Sequence, residues 1–424
     1  MTIEATASPH IVPALFNRIR RNIGKKALAE MIPRLLSFAI TAFLARRLGN
    51  SGFGQIAYGL AVAGVVSIFL DFGWNNATLR HLAIGGDTGF VGKVIRLKVI
   101  AALVAIVVVL SLSHFILPSY ISLSVLFWLL LVGVANAFQD FWGAVSTGLE
   151  KIQWEVAAKT LSRGMVLLGL PLFWLKAATP YNAAVFLAAG NGIGAALAGV
   201  WIVRRLLPPS AGLAPKTRAI LREGVTYGVT SAVWTFYTRQ DILLLGFFHR
   251  PANEVGYYAI VSRLLEFGRA LPLVLQTALI PVFSSLVREP ERVSNLVRRL
   301  LTALLPVAAL MALGAMLVGP KMIQLFFGPS FLPAAKPFVV AACGLSMMML
   351  NVCLIAALIG LKQERYLLFT VVMTALVNAL VNGILIPRLS YMGSAWANLT
   401  SETVWLVLNI AAFLFHLRRV ENVK

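Results

Sequence analysis

"WTFYTRQDILLLGFFHR", residues 234–250, reads as the end of a membrane-spanning helix, yet Arg239, Gln240 and Asp241 stand inside it. A charge at bilayer depth costs about 2.5–3.5 kcal/mol even on the lenient insertion scale. Residues two apart on a regular helix point to nearly opposite sides. Arg239 and Asp241 therefore cannot share one partner: one is expected to face a cavity and the other a neighbouring helix.

The rest of the chain has the same character. It has 424 residues, 59% of them hydrophobic and only 12% charged, with a mean hydropathy of +0.83; a soluble chain carries about 25% charged residues. Apolar runs of ~20 residues recur from end to end, the length a helix needs to cross a bilayer. The spans predicted are 27–48, 54–78, 97–117, 122–147, 155–175, 182–205, 224–247, 255–286, 298–318, 334–360, 365–386 and 392–416. The fold class expected is all-α, a polytopic integral membrane protein.

The charge distribution orients it. Counting residues near a span edge with the adjoining loop, 25 of the 37 Lys and Arg residues belong to the N-terminal tail, the even-numbered loops and the C-terminal tail, 7 to the odd-numbered loops, and 5 arginines lie deeper inside spans. The positive-inside rule then places both termini in the cytoplasm, and the net charge of +21 needs no nucleic-acid partner. The first 26 residues lack the apolar core of a cleavable signal peptide. Val12, Phe16, Ile19 and Ile23 share a face suited to the surface of the inner leaflet, a disordered basic tail being the alternative. Cys343 and Cys353 share one apolar span, ~15 Å of helix apart, too far to bridge.

Three short matches recur in the same order. "FGQIAYGLAV" (53–62) resembles "VGYYAIVSRL" (255–264), "ILPSYISLSVLF" (116–127) resembles "FGPSFLPAAKPF" (327–338), and "GLEKIQWEVA" (148–157) resembles "GLKQERYLLF" (360–369), at offsets of 202, 211 and 212. They predict a duplicated unit of six spans. Two such halves enter the membrane in the same orientation, related by an axis along its normal, with a central cavity between them. The division expected is a basic N-terminal segment 1–26, a first six-helix bundle 27–207, a cytoplasmic linker 208–223, a second bundle 224–418 and a tail 419–424.

Residues 34–83, through Arg46-Arg47-Leu48-Gly49, Phe53-Gly54, Asp71-Phe72-Gly73 and Arg80, resemble the opening of the bacterial oligosaccharide flippases. These form the polysaccharide-transport branch of the multidrug/oligosaccharidyl-lipid/polysaccharide exporter superfamily. Residues 239–266 are similar to the start of that family's second half. The resemblance implies a non-enzymatic protein of the bacterial cytoplasmic (inner) membrane. Such a protein turns a polyprenyl-diphosphate-linked oligosaccharide from the inner to the outer leaflet, ahead of polymerase or ligase machinery. It names no sugar and carries over no catalytic residue.

Polar groups at helical spacing form stripes on otherwise apolar spans: Glu30, Arg34, Ser37 and Thr41; Ser67, Asp71, Asn75 and Thr78; Asn136, Asp140, Gly143 and Thr147; Glu155, Lys159 and Arg163; Arg263, Glu266, Arg269 and Gln276; Ser394, Asn398, Glu402, Trp405 and Asn409. Such stripes are expected to face a wet cavity or one another. At helical rise, Arg34 and Arg163 lie ~10–13 Å from the cytoplasmic side, Arg269 near the midplane, and Arg239 and Arg263 ~12 Å from the outer side. A diphosphate could step along this ladder, since guanidinium forks match phosphate oxygens; Arg239 is therefore the member of the opening pair expected on the cavity. Asn136, Gln276, Asn398 and Trp405 complete the expected lining. Gly268 and Pro272 flank Arg269, and the proline can bend the helix there.

Asp140 and Glu402 have no basic residue at i±3 or i±4 and are the leading candidates to take up H+ or Na+; Asp71, Asp241 and Glu266 are further ones. Structural readings stand beside these. Glu30–Arg34 is a favourable i, i+4 pair, Glu266 can neutralise Arg263 or Arg269 but not both, Asp71 suits a helix end, and Asn191, Asn378 and Asn382 suit interhelical hydrogen bonds.

Five arginines stand against six carboxylates inside spans, so sign alone does not separate the flippase from an ion-coupled organic-cation exporter of the same superfamily; the ladder and the resemblance favour the flippase. A membrane polymerase or ligase would need acid/base or metal-binding groups on a sizeable loop. The odd loops are short and nearly free of carboxylates, Glu254 excepted. Without a glycine-rich phosphate loop bearing a lysine, or a His/Cys cluster, no ATP, cofactor or metal is expected.

Overall fold

A computed structural model describes residues 11–175, 177–207, 217–287 and 289–421. Among them it has helices α1 (Ile11–Asp71), α2 (Trp74–Ala83), α3 (Gly89–Ile116), α4 (Leu123–Gly148), α5 (Ile152–Leu175), α6 (Pro180–Leu206), α7 (Thr217–Phe247), α8 (Ala252–Gly268), α9 (Ala270–Ser285), α10 (Pro290–Phe327), α11 (Ala335–Gly360), α12 (Glu364–Leu389) and α13 (Tyr391–Glu421), with a 3-10 turn at Pro329–Ala334. The protein is an all-α polytopic membrane protein. Helix α1 holds the first two spans, reversed at Gly49 (φ 68, ψ −179), a conformation open to a residue without Cβ. The second span breaks again at Phe72 (φ 36) and Gly73 (φ 81), which sets off α2. The eighth span breaks between Gly268 and Ala270, giving α8 and α9.

Nine stretches of the described residues are long and apolar enough to cross a membrane. Helices α5 and α7 are not in that set. They carry Glu155, Lys159 and Arg163, and Arg239, Gln240 and Asp241; protein, not lipid, must surround these faces. Helix α3 starts at Gly89 rather than near 97. Lys98 therefore lies well inside this helix rather than at its start, and is fully buried. Its Nζ donates to the Leu70 carbonyl (2.9 Å), lies 3.8 Å from Asp71 and sits 5.3 Å over the Phe141 ring. The side chains of 1–30, with the expected basic amphipathic face and the Glu30 pair, lie outside the described residues, as do positions 208–216 of the linker.

The repeat is visible in the backbone. Glu150 (φ 59) ends the α4 junction and Lys362 (φ 58) the α11 junction, 212 residues apart as in the sequence match. Their flanking amides make the same three bonds, Leu149, Glu150 and Lys151 to Val145, Thr147 and Ser146, and Leu361, Lys362 and Gln363 to Ala357, Ile359 and Leu358. In the first half α4 packs on α1, α5 and α6; in the second, α11 packs on α9, α10 and α13. The halves meet where α1 crosses α8. A Cβ on Gly54 would fall 1.7 Å from the Ala252 carbonyl oxygen, and one on Gly256 2.1 Å from that of Asn50. Gly54 and Gly256 are equivalent positions of the repeat, so the contact is reciprocal, as a two-fold relation requires.

Candidate functional site

That crossing closes one end of the molecule. Asn50, at the reversal of α1, donates to the Tyr257 hydroxyl (2.9 Å), Arg46 donates to the carbonyls of Leu325 and Phe326, and Phe53 meets Phe331 edge-on at 6.0 Å. All of these lie at the end bearing the odd-numbered loops. Beneath them is a cavity of about 680 Å³ lined by residues of both halves, from Phe53 and Ile56 under the crossing to Pro33, Arg34 and Glu155 toward the other end.

The lining holds six basic side chains, Arg34, Lys159, Arg163, Arg239, Arg263 and Arg269, and three carboxylates, Asp140, Glu155 and Glu266. In the first half, Arg163 donates to Asn191 (2.6 Å) and Asn136 (3.3 Å), two amide oxygens that hold its plane without neutralising it. Lys159 pairs with Glu155 (2.8 Å), which also accepts from Thr147 (2.8 Å). Asp140 is exposed into the cavity and makes no hydrogen bond or ion pair with any described residue. In the second half, Glu266 lies between Arg263 (2.7 Å) and Arg239 (3.3 Å). Trp234 adds an aromatic face to the lining.

Arg239 thus faces the cavity. Asp241 is turned away and buried, accepting from Tyr258 (2.5 Å) and Asn382 (2.7 Å). Asn382 also bonds Asn378, which accepts from Gln240 (2.6 Å) and donates to Ser401 (2.7 Å). This polar knot ties α7 to α12 and α13.

Several expected members are elsewhere. Arg269 reaches the cavity wall but pairs with Glu402 on α13 (3.7 Å), not with Glu266. Glu402 is buried off the cavity and accepts from Tyr237 (3.1 Å). Gln276, Asn398 and Trp405 do not line it. Gln276 lies on α9 beyond Leu273, Asn398 packs on Gly344, and Trp405 is buried against Trp234. Asp71 caps the break after α1, accepting from the Asn75 amide (3.0 Å) beside Lys98. Gly268 abuts Leu345 at the break, and Pro272 is buried one turn later. Helical spacing put Glu155 and Lys159 on the Arg163 stripe without naming them as site residues, and read Asn191 as an interhelical hydrogen-bonder; it passed over Trp234, Tyr237 and Tyr258, and for Tyr237 no local signal exists, since the carboxylate it meets lies 165 residues away.

A helical bundle with a polar, charge-lined cavity at the seam between two repeats is the construction of a membrane transporter. Comparison with known proteins places it further. The profile of the family described as "Polysaccharide biosynthesis protein" matches residues 19–287. A candidate O-antigen transporter of Escherichia coli (strain K12) is 21% identical over 74% of this chain and 76% of its own length. Among solved structures, an inward-facing multidrug resistance MATE family transporter of the MOP superfamily superposes with a TM-score of 0.75 at 14% identity, covering 94% of this chain and 99% of that one. The lipid II flippase MurJ, inward closed, gives 0.72 at 14%, covering 91% and 87%. The chain belongs to the polysaccharide biosynthesis protein family, and it is a transporter of the flippase type rather than an enzyme.

Proposed function

We propose that this protein moves a lipid-diphosphate-linked oligosaccharide from the inner to the outer leaflet of a bacterial cytoplasmic membrane by alternating access, with both termini in the cytoplasm. The observation that carries this reading is the sign of the cavity, six basic groups against three carboxylates. Like charges gathered in a low-dielectric space favour an anion, and an organic cation would meet net repulsion. The cavity is shut at the odd-loop end and lined toward the cytoplasmic end, so the headgroup enters from the inner leaflet while its lipid tail remains in the bilayer. The bundles 27–207 and 224–418 rock about the α1–α8 crossing. The unpaired Asp140 is the carboxylate best placed to take H+ or Na+ from the same space, and Asp241 the alternative within the polar knot. Polymerase or ligase machinery would receive the product outside.

The test is transfer of a defined polyprenyl-diphosphate-linked sugar across proteoliposomes, beside efflux of a cationic dye. Sugar transfer without dye efflux is the expected result. Dye efflux without sugar transfer would replace the reading by the cation exporter.

A further inference from the structure

Glu266 touches two guanidinium groups at once. Its Oε2 accepts from Arg263 Nη1 at 2.7 Å, and its Oε1 lies 3.3 Å from Arg239 Nη1. Arg263 is three residues back on α8, whereas Arg239 comes from α7. The carboxylate therefore fills a fork made by two helices. It is 34% exposed, and it lines the cavity together with both arginines. Among the described residues, neither arginine has another hydrogen-bond or ion-pair partner. The rest of their donors remain free for a ligand, five N–H groups to each guanidinium.

Two guanidinium groups converging on two oxygens is the arrangement a phosphate group takes. The other half of the cavity shows that an arginine can be held there without a carboxylate: Arg163 rests on the Asn136 and Asn191 amides. Arg239 and Arg263 are instead held by an anion.

We propose that Glu266 is a resident anion, which occupies the Arg239–Arg263 fork while the cavity is empty and is displaced by a phosphate of the incoming headgroup. The inference rests on the anionic-headgroup reading given under Proposed function. A carrier must release what it binds, and two bare guanidinium groups at bilayer depth would hold a diphosphate too long. A carboxylate tethered beside them competes at high effective concentration. It weakens the bound state without removing the cations, and it returns to the fork as the headgroup leaves.

The consequence opposes that of an ordinary binding residue: removing the charge tightens binding and slows release. The full chain in nanodiscs is titrated calorimetrically with inorganic pyrophosphate. Glu266→Gln is expected to bind it about tenfold more tightly than wild type, the scale of one charge-assisted hydrogen bond. Adding Arg239→Gln removes the gain. In proteoliposomes, Glu266→Gln transfers the lipid-linked sugar more slowly. Equal or weaker pyrophosphate binding by Glu266→Gln overturns the proposal. If that variant fails to accumulate, Glu266→Asp, too short to span both guanidinium groups, must still bind more tightly than wild type, and no gain there overturns it too. Wild-type vesicles that transfer the sugar while neither variant gains affinity sink the resident anion alone. Wild-type vesicles that transfer nothing sink the proposed function.

Discussion

Glu402 is buried and Arg269 largely so, with side chains 3% and 14% exposed. They join the break in the eighth span to α13, and Tyr237 of α7 donates to the same carboxylate. Removing one partner of a buried ion pair leaves the other uncompensated, at a cost of about 3–5 kcal/mol. Arg269→Ala should therefore lower the folded yield and the unfolding temperature in detergent. Adding Glu402→Gln should restore much of both, and adding Glu266→Gln should restore neither. Rescue by Glu266→Gln instead would mean that the pairing described here is wrong. Helical spacing offered Glu266 a partner in Arg263 or Arg269. Its second partner is Arg239, 27 residues earlier on another helix, and no periodicity within one helix could have pointed there.

At the scale of elements, function depends on where the helices break and cross. Gly49, Gly73 and the Gly268–Arg269 junction divide spans that composition makes continuous. The crossing of α1 and α8 leaves no room for a methyl group at Gly54, because the obstacle is backbone. Gly54→Ala must push α1 from α8, at about 1–3 kcal/mol for an overpacked contact. Because that contact closes the odd-loop end, which the proposed orientation puts outside, its loss should favour opening there. In a background lacking Cys343 and Cys353, a cysteine at the cavity residue Thr41 should react faster with an impermeant thiol reagent added outside when Gly54→Ala is present. An unchanged rate with normal folding would show that the crossing is not the outer gate.

For the whole molecule, the closed end is the end bearing the odd-numbered loops. Orientation in the membrane rests on the distribution of Lys and Arg. Ser119 and Ser330 are exposed at equivalent junctions of the two halves. Cysteines placed at either position should be labelled by an impermeant reagent in intact cells. Labelling at both only after lysis would invert the topology and, with it, the direction of transport proposed.

The sequence by itself determined the class of protein and the duplication. Apolar length follows from the thickness of the bilayer, and a repeat leaves the same junction chemistry twice, as at Glu150 and Lys362. It also determined that Arg239 and Asp241 point apart, because helical geometry is local. Only the tertiary structure decided the sign of the cavity. Counting charges inside spans left five arginines against six carboxylates. Folding moves Asp71 to a helix end and buries Asp241 and Glu402 among hydroxyl, amide and guanidinium partners, while it brings Lys159 to the wall. The cavity charge depends on which helices face one another across the seam. Those neighbours lie more than a hundred residues apart, beyond the reach of any pattern along a single helix.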